Sequence, residues 1–259
     1  MSEIFESEKR NLILFFLITF GWSWLFWILA ILFPTDVLLY LGIFGPFVGA
    51  FTLTYLNERK EGVKNLWKRG WDYKIGKKWF LVTLLLVPAL IASAFFLAIF
   101  TEGKTPTLLY LSQPWFIPLT FIVIYLNSLG DEFGWRGFAI DRLQAKWNAL
   151  VSSIILGVIW GFWPLPLNIA QGFSLLFTFL FTVPTAILMS PLSTWLYNNT
   201  DGNIFGVILF HAMGNLIGNL IFPIYLTKFG LYYSLGIMFI TDIVVVVIFG
   251  FKKLVHEAK

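Results

Sequence analysis

The sequence predicts an all-α fold, a polytopic membrane helix bundle of about eight transmembrane helices with the N and C termini in the cytoplasm. Three observations predict it. Of the 259 residues, 58% are hydrophobic and only 12% are charged, with a mean hydropathy of +0.81, which is too apolar for an ordinary soluble domain. Apolar runs of spanning length, about 20 residues each, recur along the whole chain. The basic residues between those runs fall on alternate connections, as the positive-inside rule requires.

The runs lie at 11–33, 37–56, 80–100, 115–134, 149–169, 173–196, 203–223 and 231–251. The first is preceded by both acidic and basic residues and is long enough to span, so it reads as a retained helix and not as a cleavable signal. Between the second and third runs, residues 57–78 hold eight basic residues: Arg59, Lys60, Lys64, Lys68, Arg69, Lys74, Lys77 and Lys78. That segment is expected in the cytoplasm, and alternation then places sixteen of the eighteen Lys and Arg residues on the same side, leaving only Lys104 and Lys228 outside. One span more or fewer before the fourth would put a basic cluster on the wrong side. Val63, Leu66 and Trp67 in the basic segment have helical spacing. They read either as purely topogenic context or as a short amphipathic piece on an anionic leaflet. No repeat or long linker divides the chain, so one membrane-embedded domain over 1–259 is expected.

Twenty-nine Phe and twelve Trp suit lipid-facing and interfacial positions. The chain has no cysteine, which excludes disulfides and thiolate-bound zinc. A pI near 9.2 does not signal nucleic acid, because the basic residues are accounted for by topology.

Polar groups inside apolar runs are costly and mark function or buried partners. Asp131 and Glu132 close the fourth run. On a helix Glu132 and Arg136 are four apart and share a face, whereas Asp131 stands about 100° round the axis. The arginine can neutralise one acid and leave the other available. In the seventh run His211 and Asn215 also share a face, with Gly214 and Gly218 allowing close helix approach. They read as interhelical hydrogen-bonding groups, or, together with the acids, as groups that activate a water and hold an oxyanion. Asp242 in the eighth run reads as a structural hydrogen-bonding group, with a proton-relay role as the alternative. His256 reads as a solvated tail residue. In the fifth run Pro164 and Pro166 have no N–H, so that helix is expected to kink or end there.

Taken together, Asp-Glu-Phe-Gly-Trp-Arg-Gly at 131–137, Trp-Gly-Phe-Trp-Pro-Leu-Pro at 160–166 and His-Ala-Met-Gly-Asn at 211–215 resemble the three motifs of the CAAX protease and bacteriocin-processing family. That family includes type 2 CAAX prenyl endopeptidases and lysostaphin-resistance-like proteins. The resemblance spans about 115–223, the expected catalytic core. It implies catalytic roles for Asp131, Glu132, Arg136, His211 and Asn215, and substrate contacts for Trp160, Trp163 and Asn168. In the family the first motif opens with two glutamates, and a histidine follows an aromatic by four residues in the second. Here Asp131 replaces the leading glutamate and Pro164 stands in the histidine's place. Aspartate is one methylene shorter, and a misplacement of about 1 Å costs roughly a hundredfold in rate. Proline offers no acid, base or ligand. No cofactor is called for; a zinc site would have only His211 and carboxylates, a thin donor set.

The resemblance implies an intramembrane endopeptidase that hydrolyses a membrane-associated or prenylated peptide. A carboxylate of the Asp131/Glu132 pair takes a proton from water, His211 and Asn215 stabilise the oxyanion and Arg136 orients the acids. The expected partners are membrane lipid, a peptide or lipidated peptide and a membrane protein, and the expected location is the plasma membrane of a prokaryote. The alternative is a pseudoprotease that serves as scaffold, immunity factor or regulator. A proton-coupled carrier is a third, weaker reading, since neither repeated halves nor paired broken helices are found.

Overall fold

The structure is a computed structural model that describes residues 2–108 and 113–255, with side chains described from residue 8 onward. His256 therefore lies outside the described residues. The elements run α1 (Ser2–Leu32), α2 (Asp36–Ile43), α3 (Gly45–Arg69), α4 (Lys77–Glu102), α5 (Phe116–Gly134), a π turn (Trp135–Ala139), α6 (Ile140–Gln144), α7 (Ala149–Phe162), α8 (Leu165–Ala170), α9 (Leu175–Phe177), a second π turn (Thr178–Thr182), α10 (Val183–Asn199), α11 (Ile204–Leu216), a third π turn (Ile217–Ile221), a 3₁₀ turn (Ile224–Leu226) and α12 (Gly230–Phe249).

Among the described residues seven helical spans are long and apolar enough to cross a membrane, and the bent pair α2–α3 makes eight. This agrees with the sequence expectation, with one correction. The run at 37–56 is not one straight helix: α2 and α3 meet at 42°, because Gly45-Pro46 opens α3 and Pro46 cannot donate to the preceding turn. The helix also runs on past residue 56 into the basic segment, with a break at Arg59, whose φ is 60°. There Leu66 is buried and Trp67 is exposed.

Polar atoms freed at helix ends find specific partners. Pro164 does end α7, as its ring dictates, and the carbonyl of Trp163 at that break accepts from Trp24 Nε1 at 3.0 Å. Glu102 at the end of α4 accepts from the N–H groups of Lys228 and Phe229 at 3.1 and 2.9 Å, placing a carboxylate at the start of α12. The first N–H groups of α7 are met by the chain's last segment: Ala149 and Leu150 donate to the carbonyls of Lys252 and Phe251. Asn198 and Asn199 donate their amides to the carbonyls of Lys253 and Leu254.

The bundle's core is aromatic where α1 meets the α5–α6 region. Phe15 stacks on Phe138 and packs edge-on against Trp135, and Trp163 packs between Trp27 and Trp135. Helices α7 and α10 touch at backbone distance, since a Cβ on Gly157 or Gly161 would lie 2.8 Å from the Cα of Ile187 or Val183. Small residues give this closeness in a membrane bundle, where packing replaces the hydrophobic drive.

One end of the bundle gathers charge. Glu8 pairs with Arg142 at 2.8 Å, and Arg69 bonds the carbonyl of Gly202 and the hydroxyl of Tyr197, which donates to Asp141 at 2.8 Å. Arg69, Asp141, Tyr197 and Gly202, with Gln144, Asn198 and Lys253, border a cavity of about 530 Å³. The connections that alternation assigns to one side thus meet at one end, and both ends of the described chain lie there.

Gly134 sits where α5 crosses α3: a Cβ there would come within 2.7 Å of the Pro46 carbonyl oxygen. Gly134→Ala is expected to destabilise the protein by about 1–3 kcal/mol through overpacking. Gly236→Ala, with open space around it, is the matched control. Thermal melts in detergent should separate the two, and equal melting temperatures would contradict the crossing described.

Candidate active site

The centre of the site is Glu132 on the last turn of α5. Its side chain has no exposure, and Arg136, also fully buried, donates from Nη1 to both carboxylate oxygens at 3.1 Å. The i, i+4 spacing predicts this pairing, and the structure has it even though the π turn begins between the two residues. His211 on α11 completes the contact from across the bundle, with Nδ1 at 3.0 Å from Glu132 Oε1. One carboxylate is thus shared between a guanidinium and an imidazole.

Trp160 on α7 packs against both partners. The Arg136 guanidinium lies 5.1 Å over its ring, and the His211 ring meets it edge-on at 5.2 Å. A cation over an indole face is attracted by the ring quadrupole. Ser190 on α10 accepts from Arg136 Nη2 at 3.3 Å. Sequence reasoning missed Ser190. A small hydroxyl inside the apolar run, directly before Pro191, was the available signal.

Three polar groups beside this cluster are left open. Asp131 is 8% exposed, and its Oδ1 is buried without a hydrogen-bond partner. Asn215, one helical turn beyond His211, is half-buried. Neither it nor His211 Nε2 makes a hydrogen bond among the described residues. Asp131 precedes Glu132 on α5 and Asn215 follows His211 by one turn of α11, and neither side chain is consumed by the cluster.

The remaining candidates lie apart. Trp163 is 3% exposed and packed in the aromatic core. Asn168 on α8 donates both its amide bonds to Thr178 and Thr182 of the second π turn, at 3.1 and 3.2 Å. Neither makes a hydrogen bond or ring contact to the Glu132 cluster among the described residues. Asp242 is buried in α12 with Oδ1 unpartnered. Pro164 is the residue before the first turn of α8.

The first and third motifs adjoin irregular turns, and a residue just past the second bonds to another. The first runs into the π turn at Trp135–Ala139, the third is followed by the π turn at Ile217–Ile221, and Asn168 bonds to the π turn at Thr178–Thr182. Such turns are rare and frequent at functional sites, because the extra residue re-aims side chains.

As for a metal, among the described residues no group of three or more His, Asp or Glu is placed to hold one. Glu132 already spends its oxygens on Arg136 and His211, so the donor set does not fit a zinc ion.

The Glu132–Arg136 pair also makes a stability claim. Removing one partner leaves a charge buried and uncompensated, which costs about 3–5 kcal/mol. Glu132→Leu alone is expected to lower the melting temperature more than the double change Glu132→Leu with Arg136→Met. Thermal melts of the two purified proteins check this, and a double variant less stable than the single one would contradict the pairing.

Comparison with known proteins finds two similarities. The family model described as type II CAAX prenyl endopeptidase Rce1-like matches residues 113–217, the stretch that holds all three motifs. CAAX prenyl protease 2 of Methanococcus maripaludis is 27% identical over 236 residues, covering 82% of this chain and 85% of that protein. Both the matching family model and that relative bear the names of peptidases, and the apolar helices make this chain a multi-pass membrane protein. The chain thus bears the resemblance its motifs predict, to the type II CAAX prenyl endopeptidases.

Proposed function

We propose that this protein is an intramembrane endopeptidase that hydrolyses a peptide bond in a membrane-associated or prenylated peptide, with water as the nucleophile. The observation that carries this reading is the Glu132 carboxylate held between Arg136 and His211, with the unpartnered Asp131 Oδ1 on the same helix as Glu132 and Asn215 one turn beyond His211. Peptide hydrolysis needs a group to take a proton from water and a donor for the tetrahedral oxyanion. The acidic pair and His211 supply the first, and the Asn215 amide supplies the second. Arg136 holds the Glu132 carboxylate in place through both of its oxygens. Trp160 walls the site, whereas Trp163 and Asn168 act through the scaffold that positions α7 and α8.

The whole chain acts as one membrane-embedded domain, with residues 115–223 as its catalytic core. The charged end, where Arg69, Arg142 and Lys253 gather, faces the cytoplasm, as the charge bias favours. The membrane is the plasma membrane of a prokaryote, and lipid and a peptide or lipidated peptide are the partners.

One observation favours a second reading. Pro164 stands where the family pattern has a histidine, and a site silenced there would bind a peptide or membrane protein without cutting it. Losing one general acid–base group typically removes about 10²–10⁴-fold in rate, which leaves measurable cleavage in a working variant.

The test is cleavage of a panel of prenylated and unprenylated peptides by the purified protein in detergent. Wild type is expected to cleave, and Glu132→Ala and His211→Ala are each expected to lose about 10²-fold or more. No cleavage by wild type, with cleavage of the same panel by Pro164→His, would establish the second reading instead.

A further inference from the structure

We propose that His211, oriented by Glu132, is the general base of this site and so replaces the imidazole missing at Pro164. The proposal rests on the peptidase reading above and adds the identity of the atom that takes the proton, His211 Nε2. It narrows proton transfer from the acidic pair and His211 together to His211 alone.

The hydrogen-bond inventory of Glu132 drives the assignment. Its side chain is fully buried, and its two oxygens receive Arg136 Nη1 at 3.1 Å each, while Oε1 also meets His211 Nδ1 at 3.0 Å. Oε2 accepts only from Arg136 and keeps one acceptor site. The side chain is fully buried, however, so water meets that site only by entering the packed pair, whereas the His211 side chain is 10% exposed. An ionised carboxylate only accepts hydrogen bonds, so the proton in the Glu132–His211 contact belongs to Nδ1. In the neutral ring that tautomer leaves a lone pair on Nε2, and Nε2 has no hydrogen-bond partner among the described residues. Trp160, edge-on to the imidazole and beneath Arg136, restrains the ring in this setting. A carboxylate that fixes the tautomer and stabilises the imidazolium formed during reaction is a recurrent arrangement in hydrolases.

Asp131 is the other open group. Its Oδ1 lacks a partner, but its carboxylate sits one methylene further back than the glutamate of the family pattern. It accepts a hydrogen bond from the water without taking its proton.

The step balances as follows. Nε2 takes one proton from water while the water oxygen bonds to the peptide carbonyl carbon. The carbonyl pair moves onto its oxygen, and the Asn215 amide N–H, one turn along α11, donates to that oxyanion. The imidazolium then returns its Nε2 proton to the departing nitrogen as the C–N bond breaks and the C=O reforms. The products are a carboxylic acid, which ionises, and an amine. Glu132 stays ionised and holds Nδ1–H throughout.

The test uses the full-length protein and a prenylated peptide that wild type cleaves, comparing wild type with His211→Gln, His211→Ala and Asp131→Asn, all checked for monodisperse elution and melting. Glutamine still donates N–H but is no base, so His211→Gln is expected to fall about 10²–10⁴-fold, as far as His211→Ala. Added imidazole should restore part of the His211→Ala rate, and more basic methylimidazoles should restore more. Asp131→Asn should stay within about tenfold of wild type, the small loss of a positioning contact compared with that of an acid–base group. His211→Gln within about tenfold of wild type, or a rescue indifferent to basicity, would overturn the base assignment and leave the peptidase reading intact. If the His211 variants do not fold, the tautomer of the wild-type His211 ring decides: a neutral ring with its proton on Nδ1 supports the base assignment, and one protonated on Nε2 overturns it. A wild type that cleaves nothing overturns the peptidase reading and the base assignment with it.

Discussion

The structure turns on one buried carboxylate. Glu132 sits at zero exposure inside a membrane bundle, where an uncompensated charge would cost several kcal/mol. It is tolerated because Arg136 meets both of its oxygens and His211 meets one from another helix. Those two bonds dictate where α5 and α11 lie relative to each other, and Ser190 and Trp160 extend the same constraint to α10 and α7. Four helices are thereby fixed around one charge.

The rest of the packing supports that arrangement. α7 and α10 approach to backbone contact through Gly157 and Gly161, and each gives the guanidinium a partner, Trp160 from α7 and Ser190 from α10. Behind the first motif the Phe15, Trp135, Phe138 and Trp163 rings form a rigid wall. The end of the chain ties down the start of α7 and the end of α10 through four consecutive carbonyls. Catalytic geometry has to be held to well under 1 Å, and these contacts are the means of holding it.

Much of this was legible in the sequence, and the reasons differ by element. Spanning runs were readable because length and hydropathy act locally, and the sorting of basic residues checked their number. The Glu132–Arg136 pair followed from i, i+4 spacing alone. The bend at Gly45-Pro46 carried a local signal, a Gly-Pro dipeptide, but lay inside an apolar run that hydropathy treats as continuous. The contact of Glu132 with His211 joins residues 79 apart, and no local rule yields a partner at that range. Ser190 carried a weak signal, a hydroxyl inside an apolar run, but its partner Arg136 is 54 residues away. Trp163 and Asn168 were expected near substrate from the motif that contains them; helical phase and the break at Pro164 instead turn one to the core and the other to the second π turn. The π turns alter that phase without any composition signature.

The most direct test of the central claim is the tautomer of His211. The chain has only two histidines, His211 and His256, so ¹⁵N-histidine labelling of a His256→Ala variant gives spectra from a single ring. With the ring neutral, Glu132 accepting from Nδ1 requires the proton on Nδ1 and a non-protonated Nε2, and Glu132→Gln should shift those signals. A neutral ring protonated on Nε2 would contradict the Glu132–His211 bond on which both the fold at this point and the proposed chemistry depend.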